Sequence, residues 1–140
     1  MSDLSKGLVI YLKAQSTVTD VCGTRITYDE LPQGSTLPAL VIHDLGGVTE
    51  RHTGGSTNHA RSRLQVDAYA TKHADATNLA KQVRLVTENF SGSWDSETII
   101  HAMADRSPQT LDRPTQGTEA SRRIATLDLI VYHTEAAPTT

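Results

Sequence analysis

The sequence has few of the residues that disulfide bonding, membrane insertion or secretion would need. Cys22 is its single cysteine, so no internal disulfide can form, and its apolar neighbours predict a small buried side chain in a reducing compartment. No apolar run approaches the roughly 20 residues that cross a bilayer. The first residues lack the basic and apolar regions of a signal peptide, so we expect a soluble protein with no membrane partner.

Aromatic residues and clustered positive charge are also scarce. Aromatics make up 4% of the 140 residues, so the core must be built mainly from Leu, Val, Ile and Ala. The formal net charge is −3 and the Lys and Arg residues form no cluster, which argues against a nucleic-acid-binding patch.

The motifs of common enzymes are missing. There is no G-x-S-x-G nucleophile motif, and Gly54-Gly55-Ser56 has neither the lysine nor the strand-turn-helix context of a phosphate loop. Asp67 and Asp128 lie on predicted strands and could act as general acid and base. We interpret them instead as ordinary outward-facing carboxylates with arginine neighbours. The sequence therefore predicts no catalytic residue and no cofactor.

The histidines are the residues that could support an enzymatic function, as ligands of a catalytic metal ion. Of six histidines, His43, His52 and His59 fall in or beside one polar stretch, so a small metal-dependent hydrolase is an alternative of a different class. A zinc site needs three or four converging ligands, and no compact motif such as H-E-x-x-H supplies them. Solvated loop histidines without a bound metal are the favoured interpretation.

Two stretches have the periodicity of helices. The first, over residues 3–15, has apolar residues at helical spacing and is followed by a short turn or a single helical turn at about 18–22. Thr71 is placed to cap the second helix, which we expect to end at Ser91-Gly92-Ser93. The core-facing stripe of this second helix is Ala76, Leu79, Ala80, Val83, Val86 and Phe90.

Short apolar or alternating runs predict strands at about 24–28, 38–45, 61–70, 97–106 and 121–133. With the helices, they predict an α+β fold: a two-layer sandwich of a mostly antiparallel sheet with helices packed on one face. The length favours one domain, residues 1–134. The Ala, Pro and Thr content of residues 135–140 predicts a disordered tail.

Two polar stretches without periodicity are the candidates for function. They cover residues 46–60 and 107–120, and each is predicted to be a loop between strands. Loops of that length in a compact domain are usually functional or disordered. We expect them to become ordered against a partner, so that the cost of ordering is met on assembly.

A set of motifs in a particular order carries a family resemblance. It begins with the glycine-led run 23–28, the turn Leu31-Pro32-Gln33-Gly34 and the strand that follows Pro38. It continues with three further segments: Arg61-x-Arg63-Leu64-Gln65-Val66-Asp67-Ala68-Tyr69-Ala70, Asp75-Ala76-x-x-Leu79-Ala80-x-x-Val83-Arg84, and Arg122-Arg123-x-Ala125-x-Leu127-Asp128-Leu129. In this order, over about residues 4–134, the chain resembles the tail-completion proteins, or tail terminators, of long-tailed bacteriophages.

The resemblance implies a structural virion protein rather than an enzyme. Six copies of such a protein would form a ring at the head-proximal end of the tail, assembled in the host cytoplasm. The ring would cap the tail tube, stop its polymerisation and join it to a connector or stopper protein of the head. DNA would pass through the ring without sequence-specific binding, because a mildly acidic ring repels the phosphates. A head-side neck or stopper ring is the alternative within assembly.

The residues expected at subunit or tail-tube contacts lie on the two predicted loops and on the strand after the first loop. They are Arg51, His52, Asn58, Arg61, Arg63, Asp67, Gln109, Arg113 and Gln116.

Overall fold

The computed structural model describes residues 3–28, 36–52, 55–95, 97–104, 109–113 and 122–134. Its helices are α1 (Asp3–Lys13), α2 (Ser16–Cys22) and α3 (His73–Thr87). Its strands are β1 (Ile26–Tyr28), β2 (Ala39–His52), β3 (Gly55–Ala70), β4 (Phe90–Trp94), β5 (Glu97–Ala104), β6 (Gln109–Arg113) and β7 (Arg122–Thr134). None of the helices in the described ranges is long and apolar enough to cross a membrane.

The strands form one sheet in the order β1-β2-β3-β7-β5-β4. Strand β6 also pairs with β7, along residues 122–126, whereas β5 pairs with residues 129–133. All pairs are antiparallel except β1 with β2. The helices pack on one face, which confirms the predicted two-layer α+β sandwich. Strand alternation explains this asymmetry, because every second residue of β3 from Leu64 to Ala70 is buried in the same cluster as the helix side chains.

The helix predictions were correct in place but not at their ends. The predicted helix 3–15 is α1, and of the two alternatives predicted at 18–22, a short turn or a single helical turn, the structure has the helix, as α2. In α3, Ala76, Leu79, Ala80 and Val83 are buried as expected. The assignment of Phe90 to this helix was wrong, because α3 ends at Thr87 and Phe90 begins β4 together with the supposed stop signal 91–93.

Both predicted polar loops contain strands, which corrects the sequence interpretation. Within 46–60, β2 continues to His52 and β3 begins at Gly55, and their register runs from Gly47 opposite Ser62 to His52 opposite Gly55. Within 107–120, Gln109–Arg113 is β6. The cause is the composition of these strands, because Gly, Ser, Thr and His give no apolar alternation to detect. The predicted tail 135–140 lies outside the described residues.

The junction between α1 and the sheet edge is aromatic. The rings of Tyr11, Phe90 and Trp94 meet in pairs with centroids 4.8, 5.8 and 5.6 Å apart. The Tyr11 hydroxyl donates a hydrogen bond to the Val86 carbonyl at the end of α3. Burial raises the pKa of Tyr11 above its ordinary value of 10.0. This junction holds α1, α3 and β4 together around side chains that the sequence showed only as scattered aromatics.

Cys22 is completely buried at the end of α2. Burial raises the pKa of its thiol above 9.0, against an opposing effect of the nearby Arg25 charge. Both facts suit the predicted role of a small core side chain.

Candidate assembly surfaces

The face of the sheet opposite the helices is the first candidate surface. Its central part is polar, and its residues follow from the register across β3 and β7: Arg61 lies opposite Tyr132, Arg63 opposite Ile130, Gln65 opposite Asp128 and Asp67 opposite Thr126. On β5, His101 and Met103 extend the first two of these rows. We call this set, from Arg61 and His101 to Thr126, the open face.

The side chains of the open face are exposed to solvent at one end of the sheet and buried at the other. Arg61 is exposed and the Arg63 side chain is 44% exposed, beside a Met103 that is 36% exposed. Towards the other end, Val41 and Ile124 are buried although they belong to no helix-facing cluster. The accessible part therefore combines two arginines with apolar side chains, a composition typical of the contact surfaces of proteins.

Asp67 sits at the centre of a hydrogen-bond network within the chain. It is 7% exposed, and its carboxylate accepts bonds from Thr126 Oγ1 at 2.9 Å and Gln65 Nε2 at 3.0 and 3.2 Å. His43 Nε2 lies 3.1 Å from its second oxygen. The network joins β2, β3 and β7, and a carboxylate so nearly buried needs such partners to offset its lost hydration.

The interpretation of Asp67 and Asp128 as ordinary outward-facing carboxylates with arginine neighbours is correct in direction but not in exposure. Both do lie on the face opposite the helices, but Asp128 is only 9% exposed, with Arg63 Nη1 at 4.0 Å from its carboxylate. The signal that could have identified their partners is the polar alternation of β7, which places Thr126 and Asp128 on the same face as Asp67. Register was needed to show which strand lies alongside.

The three histidines of the metal hypothesis are spread along the hairpin of β2 and β3. His43 lies opposite Gln65, whereas His52 lies opposite Gly55, so β2 separates them by roughly 30 Å of extended chain. His59 lies opposite Thr134 on the other side of β3. Over the described ranges, no three His, Cys, Asp or Glu residues are grouped to hold a metal ion. A single ion therefore cannot take both His43 and His52 as ligands.

The remaining predicted contact residues fall at two opposite ends of the sheet. Arg51 and His52 are at the end of β2, with Asn58 near the start of β3. Gln109 and Arg113 are on β6, which pairs with the start of β7 at the far end. Between the two ends β3 runs from Ser56 to Ala70, roughly 45 Å of strand. Gln116 lies outside the described residues.

The two sheet edges are a feature that the sequence did not reveal. At one edge, β1 pairs with β2 only from Leu40 to Ile42, and no other described strand pairs with that side of β2. At the opposite edge β4 pairs only with β5, again within the described residues. Its three central residues, Ser91, Gly92 and Ser93, are exposed. Unpaired strand edges are ready sites for another chain.

The fold has a counterpart in a solved assembly. A chain in the structure titled "Virion of native gene transfer agent (GTA) particle" superposes with a TM-score of 0.67 over 94% of both chains, at 15% sequence identity. At that identity the likeness shows a shared fold. Among curated protein sequences, none matches the chain.

The sequence itself also matches a family model. The model described as Tail completion protein gp17 matches residues 6–89, more than half of the chain, from α1 through the end of α3. The matched range contains the first three strands and the side chains that join β2 to β3 through Asp67. The chain therefore belongs to the tail completion protein gp17 family, and it is a bacteriophage tail completion protein with a structural place in the virion.

Proposed function

We propose that this protein forms a homo-oligomeric ring of six copies at the head-proximal end of the tail. The ring caps the tail tube, stops its polymerisation and joins it to a connector or stopper protein of the head. The observation that carries the proposal is the family match over residues 6–89. The fold shared with a chain of a gene transfer agent virion supports a place within such a particle.

The layout of the sheet fits a protein that must contact two different partners. The end formed by β2 and β3 and the end formed by β6 and β7 lie at opposite extremes of the long central strands. If the strands run along the axis of the ring, one end meets the tube and the other meets the head. The two ends differ in sequence, and only one of them is proposed to fit the tube, so the other end offers no site for a further tube subunit and polymerisation stops.

The open face and the sheet edges are the surfaces left for contacts around the ring. Neighbours in a ring meet through two different surfaces, so each copy needs two complementary patches. Arg61 and Arg63 provide charge on one such surface. We assign Asp67 a supporting role within the chain, because its network fixes β3 relative to β2 and β7 and so positions both arginines.

A structural role is favoured over catalysis. The chemistry-bearing side chains of the open face are already engaged with one another, as in the bonds from Gln65 and Thr126 to Asp67. Formal net charge is −3, so DNA passing through the ring meets no strong non-specific attraction. Assembly in the host cytoplasm follows from this role.

The proposal is tested by electron microscopy of lysates from the parent phage lacking this gene. We expect full heads beside detached tails of abnormal length, because nothing then ends the tube. Supplying the gene from a plasmid should restore joined particles and serves as the control. Detached tails of normal length beside emptied heads would move the protein to the head-side neck. Intact infectious particles would contradict a structural role.

A further inference from the structure

We infer that neighbouring copies in the ring join by strand pairing, with β4 of one copy lying parallel to residues 47–51 of β2 in the next. The inference rests on the proposed ring and names the surfaces that close it. The occupant of each edge is thus a second copy of this chain.

The first argument is that, among the described residues, one side of β2 has no strand partner beyond Ile42; we call this unpaired stretch the vacant lane. β1 occupies this lane only along residues 40–42, and beyond that point β2 continues to His52 with no described strand on this side. The vacant length from Asp44 to His52 is roughly 25 Å, whereas the five residues of β4 need about 17 Å. The lane is long enough for β4 and cannot be filled by β1.

The second argument is the position of β4 along the strand direction. It can be compared with that of β2 by following the paired residues across the sheet. Gly92 lies opposite Ile99, Ile99 opposite His133, His133 opposite Ala60, and Ala60 opposite Thr49. This chain of pairs puts β4 at the level of the vacant lane, on the other side of the same sheet.

A second series of paired residues places β4 at the same level as the vacant lane. Phe90 leads through Ala102, Val131 and Ser62 to Gly47. The two series differ by two residues at both ends, so β4 and β2 are aligned in step. Rotation about a ring axis along the strands adds no shift along that axis, and it therefore brings Phe90 beside Gly47 and Gly92 beside Thr49 of the next copy.

The third argument is direction. Four antiparallel steps separate β2 from β4 in the sheet, so the two strands run the same way. Rotation about the ring axis preserves direction, and the new pair is parallel, as β1 and β2 already are. An edge that accepts one parallel strand is suited to a second one in the same lane.

The composition of β4 also suits an edge that receives a neighbour. Its exposed residues Ser91, Gly92 and Ser93 are small, and the strand has neither the charge nor the proline that usually protects an edge. Main-chain hydrogen bonds would supply the contact, as in other cases of strand addition.

Disulfide trapping in assembled particles tests the pairing. The variant carries S91C and V48C, with C22A to remove the native thiol, and it replaces the native gene in the phage. Oxidised particles should give a ladder of covalent oligomers of this protein on a non-reducing gel, ending at the ring size. The two cysteines are on opposite edges of one copy, so they cannot join within it.

The matched control keeps the same two edges but breaks the register. S91C with L45C moves the second thiol three residues along β2, across the irregularity between Asp44 and Gly47. The shift of about 7 Å along the lane adds to the roughly 5 Å between strands, so the Cα atoms lie beyond the 4.4–6.8 Å that a disulfide allows. It should give no ladder. A second in-register pair, S93C with E50C, is used if the melting temperature of the first variant falls well below that of C22A alone.

Infectious particles without a ladder from either in-register pair would overturn this inference and leave the ring proposal standing. A ladder from the out-of-register control equal to that of the in-register pair would overturn the assigned register. Failure of the ring proposal itself is read separately, from the tails of the gene deletion.

Discussion

At the scale of single residues, Gly7 shows how closely α1 approaches the sheet edge. A Cβ built at this position would clash with the Trp94 carbonyl oxygen, closer than real Cβ contacts come. A glycine in a helix interior costs roughly 0.5–1 kcal/mol relative to alanine. The close approach of two backbones explains why glycine is nevertheless present here.

We therefore expect Gly7→Ala to destabilise the protein, although alanine is the better helix former. The clash is with backbone and cannot be relieved by turning a side chain, so the loss in free energy of unfolding should be about 1–3 kcal/mol. Denaturant unfolding followed by Trp94 fluorescence measures it. Lys6→Ala, at an exposed neighbouring position, is the control and should change stability little. A more stable Gly7→Ala variant would show that α1 lies further from β4.

Asp67 is the second residue at which the neighbouring side chains determine how a substitution changes stability. Asp67→Asn replaces one acceptor oxygen with an NH₂ group, and because Gln65 Nε2 donates to both carboxylate oxygens, one of its two bonds is lost in either orientation of the amide. We expect a loss of about 1–3 kcal/mol in the free energy of unfolding, because buried polar groups lose their partners. Asp20→Asn, on the exposed side of α2, provides the comparison. Equal effects of the two substitutions would mean that the network contributes nothing.

At the scale of elements, the aromatic junction gives a prediction that depends on pH. The raised pKa of Tyr11 means that the unfolded chain loses this proton at a lower pH than the folded chain. Its contribution to stability is complete below about pH 10, the ordinary tyrosine value, and is lost as the pH rises through the folded pKa. Tyr11 therefore makes the fold more sensitive to alkali.

Tyr11→Phe should remove this sensitivity and also the bond to the Val86 carbonyl. Near neutral pH we expect a loss of about 0.5–1.5 kcal/mol in the free energy of unfolding. Between pH 9 and 11 the stability of the variant should fall less steeply than that of the native chain. Tyr132→Phe, on the open face, should keep the steep fall because Tyr11 is intact. Parallel curves for Tyr11→Phe and the native chain would contradict this account.

At the scale of the whole molecule, the open face should matter for assembly more than for folding. Arg61→Glu alters an exposed residue, so the free energy of unfolding should change by no more than about 0.5 kcal/mol. Because we propose that Arg61 contacts a neighbour or the tube, the yield of joined, infectious particles should fall at least tenfold. Plaque counts of the variant phage measure this.

Lys81→Glu is the matched control for Arg61→Glu. Lys81 is exposed on α3, on the helical side of the sandwich, and the change in net charge is the same. A general effect of charge on solubility would lower both titres alike. Equal titres of the two variants would remove Arg61 from the proposed contacts.

The amount that could be predicted from sequence differed between elements for physical reasons. Apolar periodicity predicted α1, α3 and the buried half of β3, because burial of one face imposes a period on the chain. The same rule failed at residues 46–60 and 109–113, where the strands are polar and stabilised by main-chain pairing. Phe90 was assigned to α3 because an apolar residue at helical spacing does not reveal where a helix ends.

The sequence by itself determined the α+β class, the family and the set of side chains available for the core and the open face. These are local or compositional properties, and they do not depend on which segments are neighbours in the folded chain. The tertiary structure alone decided that Asp67 is bonded to Gln65 and Thr126, that Gln109 and Arg51 lie at opposite ends of the sheet, and that β2 and β4 form its two edges. Each depends on strand order and register, which are set by pairing between segments far apart in the chain.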